Sequence, residues 1–160
     1  MRLAVTGHRG LPPDVATLIE RDIRAELERI EANGGGLIGL SCLADGADQI
    51  FATAVLDRGG RLEVVVPATA YRDGLPDDAK PVYDGLFSRA DRVHRLHHHD
   101  STPDAHMAAS TFLVDQADRV LAVWDGQPSR AFGGTADVVA YATDHGVPVT
   151  VIWPEGARRD

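Results

Sequence analysis

Apolar positions along the chain alternate between short continuous runs and a spacing of three to four residues. Arg2 to Thr6 is a short apolar run stopped by Gly7, which reads as a strand, and His8-Arg9-Gly10 reads as a turn. Pro12-Pro13-Asp14 then opens a helix, since proline is tolerated in a first turn. From Val15 to Ala32, Leu18, Ile19, Ile23, Leu27 and Ile30 recur at helical spacing, and Asn33-Gly34-Gly35-Gly36 ends the segment. Leu37 to Leu40 reads as a second strand. Gly46-Ala47-Asp48 begins a second helix, with Ile50, Phe51, Ala54, Val55 and Leu56 on its buried side and Gly59-Gly60 closing it. Leu62 to Val66 reads as a third strand ended by Pro67, and Ala68 to Pro81 as a less ordered insertion or flap. Val82 to Ala90 follows as a short helix, Asp91 to Leu96 as a weak fourth strand, and His97 to Pro103 as a polar loop. Asp104 to Ala117 is expected to be helical, with Met107, Ala108, Thr111, Phe112 and Leu113 as core contacts. Val120 to Trp124 is a buried strand, Thr135 to His145 a helix, Val147 to Trp153 a last strand and Pro154 to Asp160 a tail.

Most of these strands are continuously apolar rather than alternating, which fits a parallel sheet covered by helices on both faces. Right-handed crossovers would then gather the loops after the strands on one edge, where such sheets bind ligands. Neither a repeat nor a linker divides residues 1–160, so one α/β domain is expected.

Composition narrows the function. The chain is 44% hydrophobic and 25% charged, with a formal net charge of −8. That balance argues against a general binder of nucleic acid or anionic membrane, which needs clustered positive charge. A single nucleotide needs only one local cluster of donors and stays admissible. The lone Cys42 forms no intrachain disulfide. With no leader-like run after Met1-Arg2 and no span of ~20 apolar residues, a cytoplasmic protein is expected.

If the sheet is parallel, three loops fall on its same edge: Thr6-Gly7-His8-Arg9, Ser41 to Asp48, and Asp125 to Asp137. The strongest signal is Gly133-Gly134-Thr135, which opens a helix after a strand and a polar loop. Such a turn either caps the helix through Thr135 or offers unpaired N–H groups to an anion, and two glycines exceed what capping requires. Arg130 could clamp a phosphate bidentately or lie in solvent. Asp137 and, in the earlier loop, Asp45 and Asp48 each suit a first helical turn, so capping competes with a chemical role. Asp137 could instead hold a ribose hydroxyl or attack an anomeric carbon. His8-Arg9 could contact a phosphate or a base, or form a surface turn. His94, His97, His98, His99 and His106 are expected to be polar surface rather than a metal site, because consecutive residues of an extended loop point apart.

Taken together, V-T-G-H-R, G-L-S-C-L-A-D-G-A-D-Q and V-D-Q-A-D-R-V-L-A-V-W-D-G with G-G-T-A-D resemble the SLOG superfamily. This Rossmann-like group includes DprA, YpsA-type proteins and the LONELY GUY phosphoribohydrolases, and the pairing of T-G-H-R with G-A-D looks most like the YpsA-like branch. The resemblance implies a Rossmann-like three-layer sandwich with a mostly parallel, doubly wound sheet. It also implies a nucleotide or nucleotide-derived ligand on Gly7, Arg9, Gly46, Gly133, Gly134 and Thr135. His8, Ser41, Asp48 and Asp125, in the same loops, complete the expected binding set, and no further cofactor is expected. The phosphoribohydrolase motif P-G-G-x-G-T-x-x-E is matched here by F-G-G-T-A-D-V-V. It lacks the proline, the third glycine and the glutamate, and puts Asp137 two residues after Thr135. Ligand binding is therefore the first reading. N-glycosidic hydrolysis or transfer on nucleoside monophosphates, with Asp137 and Arg130 as catalytic residues, is the alternative. Nucleic acid and membrane are not expected partners; relatives of this kind often pair, which leaves a homo-oligomer open.

Overall fold

The computed structural model describes residues 1–159; Asp160, the last residue of the expected tail, lies outside them. Six strands form one sheet: β1 (Arg2–Gly7), β2 (Ile38–Ser41), β3 (Arg61–Ala68), β4 (Arg92–His98), β5 (Arg119–Val123) and β6 (Val149–Ile152). Every pairing is parallel and the order is β4-β3-β2-β1-β5-β6. Five helices join them: α1 (Pro13–Ala32), α2 (Ala47–Asp57), α3 (Ala79–Ser88), α4 (Pro103–Asp115) and α5 (Thr135–Asp144). This is a Rossmann-like α/β fold. None of the described helices is long and apolar enough to cross a membrane.

The apolar runs split by parity between two cores. Leu3 and Val5 of β1, with Leu121 and Val123 of β5, pack on Val15, Ile19, Ile23 and Leu27 of α1 and on Phe51 and Val55 of α2. On the other face, Ala4 and Val120 join Leu40, Leu62 and Val64 beneath Ala109, Leu113, Val138 and Ala142 of α4 and α5. Both faces of each central strand are therefore covered, which is why these strands read as unbroken hydrophobic sequence.

Four expectations need correction. Pro67 does not end β3, which continues to Ala68; the β3–β4 register shifts between Val66 and Ala68, and such an irregularity tolerates a residue without an N–H. The segment after it is no loose flap. Tyr71 and Leu75 are buried in the core, a 3-10 turn spans Arg72–Gly74, and α3 begins at Ala79. His97 and His98 belong to β4 rather than to a loop, because pairing with β3 extends the edge strand to Ala68↔His98. In α4 the buried stripe is Ala105, Ala109, Leu113 and Val114, while Met107 and Phe112 are only partly covered.

Candidate functional site

β1 and β5 are neighbours, yet the crossovers that leave them run to opposite sides of the sheet, so the loops after them diverge. Such a switch point opens a crevice at the carboxyl ends of the strands. Here it is a cleft of about 330 Å³, within the ~300–1,000 Å³ range of small-molecule sites. Its wall includes Gly7, His8, Arg9, Asp48, Arg130, Gly133, Gly134 and Thr135 from the sequence-derived set. Ser41, Gly46, Asp125 and Asp137 are not part of that wall.

His8 pins the crevice from inside. Its backbone N–H donates to Val123 O at 3.1 Å, and its Nε2 accepts the Asp125 N–H at 3.0 Å. An accepting Nε2 places the proton on Nδ1, which lies 3.4 Å from Thr135 Oγ1. Burial, then Arg159, lowers the imidazole pKa, so the ring is neutral despite an Asp125 carboxylate 3.2 Å from Nε2. Trp153 meets it edge to face at 5.4 Å. Buried and fully engaged, His8 ties the loops after β1 and β5 to the start of α5.

The four residues off the wall have structural tasks. Ser41 Oγ accepts the Leu43 N–H at 3.0 Å and donates to Asp48 O at 3.3 Å, shaping the turn in which Leu43 takes φ 58°. Gly46 has φ +88°, and a Cβ there would stand 2.7 Å from His8 O. The two loops can touch only if this residue has no side chain. Asp125 Oδ1 accepts the Gln127 N–H at 3.0 Å and closes the turn after β5. Asp137 turns back on its own loop, where its Oδ2 accepts the Gly133 N–H at 2.9 Å.

The amides at the mouth of α5 can be accounted for singly. The Gly133 N–H goes to Asp137, the Gly134 N–H to Ala131 O at 3.2 Å, and the Asp137 N–H to Ser129 Oγ at 3.2 Å and Gly134 O at 3.1 Å. The N–H groups of Thr135 and Ala136 have no protein acceptor among the described residues, and both residues line the cleft. Backbone shape and packing explain the two glycines: Gly133 takes φ +84°, and a Cβ on Gly134 would lie 2.8 Å from Ser129 Oγ and 2.9 Å from its Cβ.

Positive charge reaches the cleft from Arg9, Arg130 and Arg159. Arg9 is held by Asp45, through Nε and Nη2 each at 2.8 Å. Burial, then the neighbouring Arg130, lowers the pKa of Arg159, which remains a cation all the same. Arg159 lies in the tail and carries no local motif, so only the fold brings it to the site. Across β1, on the β2–β3 side, the wall is Cys42, Asp48, Tyr71 and His106. Burial drives the Cys42 thiol well above its usual pKa, which excludes a thiolate nucleophile at neutral pH. The remaining histidines do not converge: His94 Nε2 bonds Glu63 Oε1 at 2.8 Å, and His106 Nε2 bonds Ser101 Oγ at 2.6 Å. No metal-ligating cluster occurs among the described residues.

No protein-family model and no curated protein matches this chain. Solved structures do. DNA processing protein A from Helicobacter pylori, described for its single-stranded DNA binding mode, superposes with a TM-score of 0.68 at 16% identity over 98% of this chain and 67% of its own. The Streptococcus pneumoniae DNA processing protein A gives 0.69 at 19% identity, over 97% of this chain and 51% of its own. The structural-genomics target TM1055 gives 0.57 at 21% identity, over 92% and 71%. This chain thus spans about half to two thirds of the DNA processing proteins, and what it shares with all three is the Rossmann-like fold.

Proposed function

We propose that the switch-point cleft binds a nucleotide or nucleotide-derived small molecule, with its phosphate on the amides of Thr135 and Ala136. The observation that carries this reading is the pair of unbonded N–H groups at the start of a ten-residue helix, opening into the switch-point cleft. Helix N-termini favour anions through these donors and through the helix dipole. Arg130 and Arg159 add positive charge on the same wall. We further infer membership of the SLOG superfamily, in its YpsA-like branch, from the motifs after β1, β2 and β5 together with the shared fold.

Binding is favoured over N-glycosidic cleavage because the Asp137 carboxylate is spent on Gly133 and lies off the cleft wall. A small ligand is favoured over single-stranded DNA because the chain carries a net charge of −8 and aromatics are only 6% of its residues. Basic grooves with stacking platforms hold such strands.

Calorimetric titration with nucleoside monophosphates and with ribose 5-phosphate tests the reading. Thr135→Pro removes one donor at the first helical position, which suits proline because Gly134 before it is extended (ψ 177°). Thr135→Val keeps the N–H and serves as control. Phosphate ligands should bind the wild type and the valine variant and bind the proline variant about tenfold more weakly. Equal binding by all three proteins would refute the loop assignment, and release of free base would reinstate the hydrolase.

A further inference from the structure

On the β2–β3 side the cleft holds two polar side chains that the phosphate reading does not use. Asp48 is 9% exposed and Tyr71 4%. Asp48 Oδ2 accepts the Ala44 N–H at 3.3 Å, while Oδ1 and the Tyr71 hydroxyl have no partner among the described residues. Both residues are buried overall yet line one cavity, so these two polar atoms are left to whatever fills it. Around them stand the apolar Pro67 and Ala44, the Cys42 thiol, and the His106 ring edge to face with Tyr71 at 5.6 Å. Such a wall suits a flat, mostly apolar ring with a polar edge.

We propose that this compartment is the subsite for the heterocyclic base of the ligand, read by Asp48 and Tyr71 along an edge that carries a donor beside an acceptor. The proposal rests on the nucleotide reading above and says where its base lies. Asp48 meets the base as a carboxylic acid. Burial raises its pKa to about 7, opposed by the Ala44 N–H and the Arg9 cation and assisted by Asp45. The other titratable groups of the compartment and behind it do not titrate across neutrality in a competing way: burial pushes Cys42, Tyr71 and, packed behind Tyr71, Tyr83 up, and burial with Arg9 pushes His106 down. Below neutrality Asp48 therefore presents an O–H donor and a carbonyl acceptor side by side, which complements an amidine or amide edge of a purine or pyrimidine. Above neutrality the donor is lost and the carboxylate faces an acceptor.

The test uses nucleosides, which lack the titrating phosphate, beside ribose 5-phosphate, which lacks the base. Adenosine, guanosine, cytidine and uridine are titrated into the full chain from pH 6 to 8.5. At least one should bind, with affinity level below pH ~7 and falling up to about tenfold per unit above it. Asp48→Asn, a donor and acceptor at every pH, should bind the same nucleoside without that fall. Tyr71→Phe should bind it about tenfold more weakly, and neither variant should change ribose 5-phosphate binding. If ribose 5-phosphate binds and no nucleoside does, the base subsite is overturned while the phosphate site stands. If a nucleoside binds and ribose 5-phosphate does not, the phosphate reading falls and the subsite stands. A nucleoside affinity that is flat with pH, or unchanged in both variants, overturns the roles given to Asp48 and Tyr71.

Discussion

Gly7 separates packing from ligand contact more sharply than any other position on the cleft wall. A methyl group built on its Cα would lie 2.5 Å from the Ala47 Cβ, 2.8 Å from the Val123 Cβ and 3.2 Å from the Val123 carbonyl oxygen. None of these atoms ends a flexible side chain, so no rotamer change relieves the overlap. Either the first turn of α2 or the end of β5 must move, and both belong to a core whose members Ala47 and Val123 are fully buried. Overpacking of this kind costs about 1–3 kcal/mol and occasionally more. Backbone-anchored neighbours on two sides place Gly7→Ala at the upper end, about 3 kcal/mol. For a chain of this size that corresponds to a fall in Tm of about 6–12 °C. Urea unfolding followed by far-ultraviolet circular dichroism measures it, with an unchanged m-value confirming that the native state has lost stability. A loss below about 0.5 kcal/mol would refute the packing argument, and would mean that glycine stands here for the approach of a ligand to the backbone.

Two further outcomes follow from ion pairs and loop bonds. Glu63 is buried between Arg2, which grips it bidentately at 2.8 and 3.1 Å, and His94 at 2.8 Å. The Arg2 bond leads in lowering its pKa from 4.5 to about 2. Because the folded-state value is depressed, this contribution to stability is complete above pH 4.5 and lost as pH falls toward 2. Glu63→Gln should therefore cost about 3 kcal/mol at neutral pH and weaken the acid dependence of urea midpoints between those limits; an unchanged profile would exclude Glu63 as its source. Asp137→Asn should lower stability by about 1 kcal/mol through the Gly133 amide and leave ligand affinity within about twofold. Loss of turnover without loss of stability would instead return Asp137 to a catalytic role.

The alternation of strands and helices was legible residue by residue, because each element's period is a local property. Ile19, Ile23, Leu27 and Ile30 face one side of α1 whatever the rest of the chain does, and all four are buried; Leu18, read as part of the same face, is only half-covered, and Val15 lies buried in its place. Errors came where tertiary pairing overrides local signals. Pro67 stays in β3 because a neighbour accommodates it, and His98 joins β4 because Ala68 lies opposite. Tyr71 is buried although its surroundings are rich in proline and aspartate.

For the site, the sequence by itself placed three small-residue loops at one sheet edge and singled out the start of α5. It could not rank the residues within them. Asp45 and Asp48 look equivalent on either side of Gly46, yet one is tied to Arg9 and the other faces the cleft from an almost fully buried position. Gly133 and Thr135 are two residues apart, and only the second keeps an unbonded amide. Arg159, distant in sequence, arrives because β6 runs beside β5 and directs the tail toward the crevice. Local sequence sets which backbone shape a segment adopts. Which of its polar atoms are already satisfied, and which remain for a ligand, depends on partners up to 127 residues away and was decided only when the sheet assembled.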